Sequence, residues 1–182
     1  MSEPSLEELM LAYVEGNADA FESLYRRISS QLFAYLLRLT RDRARAEDLL
    51  QVTFSKIHRA RASYFKGAPL LPWVMAIARR SFLDERRAAK SRAEDLSQDG
   101  NVPEPIRVDH GIPIDLADAL ERAFDELPTA YREAIQLTKI AGLSLAEAAE
   151  VLETTPTAVK LRVHRGYTRI RERLERLQFN SQ

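Results

Sequence analysis

The 182-residue chain has no cysteine, which excludes disulfides, thiolate metal sites and thiol catalysis. Its three histidines, His58, His110 and His164, are too scattered for a metal cluster, and no phosphate loop or nucleophile–base set occurs. No metal, cofactor, small-molecule substrate or enzymatic reaction is therefore expected. There is no apolar run of about 18 residues and no cleavable signal pattern, so a cytoplasmic protein without membrane insertion is predicted. Glycine is scarce, at 6 residues, and no alternating strand-like run is bounded by turns, which argues against sheet and disorder. Excess charge of either sign is also missing, because 27 basic residues face 27 acidic ones. Any basic surface must be local.

What the chain does have is apolar residues recurring at spacings of three and four nearly everywhere, the period of helices packed on one face. An all-α fold follows. Ser5 and Glu8 form a capping box for a first helix ending at Gly16, and Asn17 caps a long core helix reaching Thr40. A third helix buries Ala46, Leu49, Phe54 and Ile57 and turns Asp48, Gln51, Val52, Ser55 and Arg59 outward, a stripe suited either to protein docking or to simple solvation. Gly67, Pro69 and Pro72 interrupt the segment after Ser63, which offers Tyr64 and Phe65 beside Lys66. A fourth helix from Pro72 to about Lys90 follows. Between Arg79 and Arg92 six basic residues face two acidic ones, a bias towards phosphate. Aromatic residues beside a cationic helix are a usual means of holding unstacked bases. Trp73 reads as partly buried core rather than a stacking platform.

The stretch from Leu143 to Arg173 is the most informative. Ser144 and Glu147 form a capping box, Glu153 to Thr155 make a tight turn, and Pro156 starts a longer basic helix. The pattern is a helix-turn-helix. At 100° per residue, Val159, Val163, Tyr167, Ile170, Leu174 and Leu177 share a buried stripe. Thr157, Ala158, Leu161, His164, Arg165, Thr168 and Arg169 lie opposite, flanked by Lys160 and Arg162. Leu161 is the oddity on that basic face, either an ordinary surface leucine or a contact for a thymine methyl.

Between these halves, residues 93–113 lose the helical period and gather acids, glycines and prolines. The expected organisation is two small four-helix domains, residues 1–92 and 114–182, joined by a flexible acidic linker over 93–113. About 20 extended residues span at most about 65 Å. Two contacts about 17 base pairs apart on B-DNA are separated by about 58 Å, within that reach.

Asn17-Ala-Asp-Ala-Phe-Glu-Ser-Leu-Tyr, Ala46-Glu-Asp-Leu-Leu-Gln-Val-Thr-Phe, Trp73-Val-Met-Ala-Ile-Ala-Arg-Arg, Leu127-Pro-Thr-Ala-Tyr-Arg-Glu-Ala and Ala158-Val-Lys-Leu-Arg-Val-His-Arg, in this order, resemble bacterial sigma-70 family factors of the extracytoplasmic-function group. The resemblance implies RNA polymerase core and promoter DNA as partners, with an anti-sigma factor as a further one. It implies core-polymerase binding through Asp48, Gln51, Val52 and Ser55. For the melted −10 element it implies Tyr64, Phe65, Lys66, Arg79, Arg80, Asp84 and Arg87, and for the −35 element Thr157, Lys160, Leu161, His164 and Arg165. It also implies that the acidic linker follows the polymerase's nucleic-acid channel. The residues alone leave open a stand-alone dimeric helix-turn-helix regulator with an N-terminal sensor or dimerisation domain.

Overall fold

The structure, a computed structural model, describes residues 3–96 and 116–179. Their regular elements are all helical: α1 (Leu6–Val14), α2 (Ala18–Thr40), α3 (Arg43–Ala60), α4 (Leu70–Leu96), α5 (Leu116–Asp125), α6 (Thr129–Ile135), α7 (Leu145–Val151) and α8 (Pro156–Phe179). A single 3₁₀ turn, Arg61–Ser63, follows α3, and a π-helical turn, Gln136–Ile140, extends α6.

Local chemistry explains most of these ends. The Ser5 hydroxyl accepts from the Glu8 amide at 3.1 Å while Glu8 accepts from the Ser5 amide at 2.7 Å, and Ser144 and Glu147 repeat the exchange at 3.2 and 2.7 Å. Asn17 and Asp42 cap α2 and α3. α4 departs from expectation at both ends. It begins at Leu70, because the Glu7 carboxylate of α1 accepts from the Leu70 amide at 3.0 Å and Pro72 falls in the first turn, where it needs no donor. It then runs past Lys90 to Leu96, into the first residues of the expected linker. The remainder of that linker, 97–113, lies outside the described residues.

The main core is built by α1 to α4, around Met10, Leu32, Leu36, Leu70 and Met75. It does not stop at the first domain. Leu137, Leu143, Ala148, Val151 and Val159 belong to the same cluster, so the second domain packs directly on the first, chiefly α7 on α4. Ala123, Phe124, Leu127, Ile135 and Ile170 form a smaller cluster joining α5, α6 and α8.

The buried stripe of α8 differs from the helical projection at one position. Tyr167 is 44% exposed and Gly166 is buried in its place. A Cβ at Gly166 would stand 2.7 Å from Ile135 Cδ1, so the missing side chain lets α8 lie close against α6. Leu174 is half-buried as projected, and the side chain of Leu177 lies outside the described residues.

Candidate nucleic-acid and polymerase interfaces

The helix-turn-helix surface is built by α7, its turn and α8. Glu153 takes the left-handed backbone (φ 52) that the tight turn requires, and the Thr154 amide returns to the Ala149 carbonyl at 2.9 Å. The Thr155 hydroxyl then accepts from the Ala158 amide at 3.2 Å and fixes the start of α8. Val159 is fully buried and anchors the helix inward. Thr157, Lys160, Leu161, His164 and Arg165 are all exposed, Leu161 at 44%. The five residues named for the −35 element therefore share one open, mainly polar face of a helix whose first turn is rigidly capped.

The second basic surface is more committed. Phe65 is 78% exposed and Lys66 is exposed beside it, but Tyr64 is only 8% exposed. The expected exposure of Tyr64 is corrected by its surroundings: its ring meets Trp73 edge-on at 5.5 Å and its hydroxyl donates to the Ala68 carbonyl. Burial pushes its pKa up. Tyr64 thus closes the loop that carries Phe65 and Lys66, and Trp73 is half-buried against it.

Along α4, Arg79 does not face solvent. Its Nε donates to Glu133 of α6 at 2.9 Å, with side-chain exposures of 15% and 7%. Tyr35 is buried close by, and its hydroxyl pKa is driven well above the usual range first by burial and then by the Glu133 charge. Arg80 lies 3.6 Å from Glu153 in the exposed helix-turn-helix turn. Asp84 accepts from Lys56 at 3.1 Å and from Arg87 at 3.2 Å, so it orders two cations. Glu133, on the far side of the chain from its partner in sequence, had no local signature beyond its place in α6. A buried acid on a helix that packs on a basic helix is the clue.

The third surface lies on α3. Asp48, Gln51, Val52 and Ser55 are exposed in one stripe, Val52 at 44%, and among the described residues no hydrogen bond or ion pair engages Asp48 or Gln51. Among the described residues no group of three or more His, Asp or Glu side chains could hold a metal, and no helix is long and apolar enough to cross a membrane.

Residues 24–92 match Sigma-70 region 2, and residues 117–170 match Sigma-70, region 4. RNA polymerase sigma factor CarQ of Myxococcus xanthus is 35% identical, over 93% of this chain and 97% of that protein. The chain belongs to the sigma-70 family, in its extracytoplasmic-function group. ECF RNA polymerase sigma factor SigE of Mycolicibacterium smegmatis is 31% identical over 94% of the chain and 70% of that protein. In solved structures, the sigma factor RpoE of Bartonella quintana, crystallised with the anti-sigma factor NepR, superposes with a TM-score of 0.70 at 26% identity, covering 85% of this chain and 96% of that one. CnrH, solved with the cytosolic domain of CnrY, shares the fold with a TM-score of 0.68. The chain is thus a sigma factor, which confers promoter specificity on RNA polymerase core in transcription initiation and performs no reaction itself. This decides against the stand-alone regulator.

Proposed function

We propose that this sigma factor divides its work among the three surfaces. The stripe Asp48, Gln51, Val52 and Ser55 docks on RNA polymerase core. Thr157, Lys160, Leu161, His164 and Arg165 read the −35 element in the major groove, with Leu161 against a thymine methyl. Phe65 and Lys66, held by Tyr64, together with Arg79, Arg80, Asp84 and Arg87, take the melted −10 strand. Capturing flipped bases offsets an unstacking cost of a few kcal/mol by stacking and hydrogen bonding. Residues 1–92 and 114–182 act as separate modules on the promoter, with 93–113 as tether. The working compartment is the cytoplasm, and an anti-sigma factor is among the partners, by analogy with RpoE and its anti-sigma factor NepR.

The observation that carries this reading is the α8 face, where all five named residues are exposed on a helix capped for groove entry. In the packed arrangement Arg79 is held by Glu133, so −10 engagement requires the domains to part. Run-off transcription with purified core polymerase on a promoter library tests the assignment. Defined products starting downstream of paired −35 and −10 elements are expected, and their loss on Leu161→Asp or on Asp48→Arg with Gln51→Arg. Unaltered products from both variants would show that the named surfaces do not do this work.

A further inference from the structure

Apart from these surfaces, a cavity of about 420 Å3 lies in the seam where the two domains meet. Four arginines line it: Arg41 just beyond α2, Arg45 of α3, Arg86 of α4 and Arg132 of α6, against a single carboxylate, Asp125. Arg45 is neutralised by Glu85 through paired contacts of 2.9 Å. The others are not. Arg86 lies over the Phe82 ring at 5.7 Å. Arg41 and Arg132 both donate to the same main-chain oxygen, that of Asp125, while the Asp125 carboxylate is 3.7 Å from Arg41. Two guanidinium groups thus converge on one acceptor.

Arg132 bears the cost of this arrangement. It is only 7% exposed, and its Nε is buried with no protein partner. Burial and the neighbouring Arg41 act against its charge, Asp125 and Glu133 offset this only in part, and guanidinium does not shed its proton in proteins. A buried guanidinium with an open Nε, beside two exposed ones and a single carboxylate, is a setting that favours a counter-anion. Guanidinium forks match phosphate oxygens two at a time, and the cavity falls in the range of small-ligand sites.

We propose that this seam binds a small oligophosphate, either free or as the pyrophosphate of a nucleotide, which bridges Arg41 and Arg132 on one side to Arg86 on the other. A single phosphate would satisfy one pair of these groups, whereas two linked phosphates offer oxygens to a third guanidinium as well. Because the lining comes from both domains, the ligand favours the packed arrangement. The binding itself does not depend on which residues read the promoter.

Calorimetric titration of the full chain with inorganic pyrophosphate, with ionic strength matched by chloride, tests it. One-to-one saturable binding is expected, weakened by roughly tenfold or more in Arg41→Glu and in Arg86→Glu. Both positions are exposed, so these variants keep the test open if changes at Arg132 unfold the chain. Since the chain lacks cysteine, Ser30→Cys with Glu175→Cys gives a clean dye pair, and pyrophosphate should raise the population at short inter-dye distance. A nucleoside diphosphate binding more tightly than pyrophosphate would identify a nucleotide; equal affinity would make the phosphate chain itself the ligand. Heat no greater than with sulfate, or binding indifferent to both charge reversals, overturns the proposal. So does displacement of pyrophosphate by a −35 duplex while the dyes stay close, which would assign the arginines to DNA phosphates.

Discussion

The basic faces of α8 and α4 carry similar sequence signals and stand in opposite states. On α8, Lys160, Leu161, His164 and Arg165 project from a capped helix into open solvent. On α4, Arg79 is enclosed with Glu133, Arg80 is drawn towards Glu153 and Asp84 ties down Lys56 and Arg87. One surface is open and the other is engaged by the neighbouring domain. The difference teaches that cationic residues in a sequence report what a helix carries, whereas the neighbouring domain decides what it offers. Parting the domains returns both members of the Arg79–Glu133 pair to water, which regains much of what their attraction supplied. Such a pair can hold the closed form without making it permanent.

The comparison breaks most sharply if Glu133 is removed. In Glu133→Ala the closed form would enclose an unpaired Arg79, a penalty of about 3 kcal/mol for a buried pair robbed of one member. The open form would be spared it. The closed-to-open ratio should fall by roughly a hundredfold, seen as a larger radius of gyration in X-ray scattering. Binding of a single-stranded −10 oligonucleotide should tighten, while binding of a −35 duplex should stay within about twofold because α8 is already open. If both tighten together, the two faces are not in different states.

A second change concerns what keeps the α8 face rigid. Gly166→Leu forces a branched side chain against Ile135, where even a Cβ would lie 2.7 Å away, and should cost about 2 to 3 kcal/mol of second-domain stability. Gly166→Ala should stay within about 1 kcal/mol, since better helix propensity offsets a clash with the far end of one flexible side chain. Denaturant melts of the two variants give the contrast. Similar midpoints would mean that α8 is not seated on α6 through this residue. At the reading face itself, Leu161→Ala should lose about 1 kcal/mol on a −35 duplex. That loss should vanish when uracil replaces the contacted thymine, which removes only a methyl group. Equal loss on both duplexes would make Leu161 an ordinary surface residue.

These predictions rest on features of unequal legibility. Helix starts could be read because they are local: Ser5 with Glu8, Asn17, Ser144 with Glu147 and Pro156 act within one turn. The exposed faces of α3 and α8 were legible for the same reason, as helical projection alone separates Asp48 and Gln51 from Leu49, and Leu161 from Val159. Long-range partners were not. Nothing near Leu70 announces that Glu7 will cap it, and nothing near Arg79 announces Glu133. Tyr64 looked like a base platform until Trp73 and the Ala68 carbonyl occupied it. Gly166 and Tyr167 are one position apart on the projection. Only the closeness of α6 decides which of them turns inward.

The smallest expected effect comes from Glu7 and tests whether the loop and start of α4 are held by chemistry outside α4. Its carboxylate accepts from the Leu70 amide at 3.0 Å, and this hydrogen bond is the main reason its pKa lies below the ordinary 4.5. A lowered carboxylate pKa contributes stability that is fully present above 4.5 and is lost as pH falls through the folded-state value. Stability of the wild-type chain should therefore decline more steeply than that of Glu7→Gln on acidification below that point, with the two curves parallel from pH 6 to 8. Glu7 is only partly buried, so the divergence should be slight. Thermal melts across the acid range read it directly. Curves that remain parallel below pH 4 would remove Glu7 as the cap of α4, and with it the account of why that helix begins before Pro72.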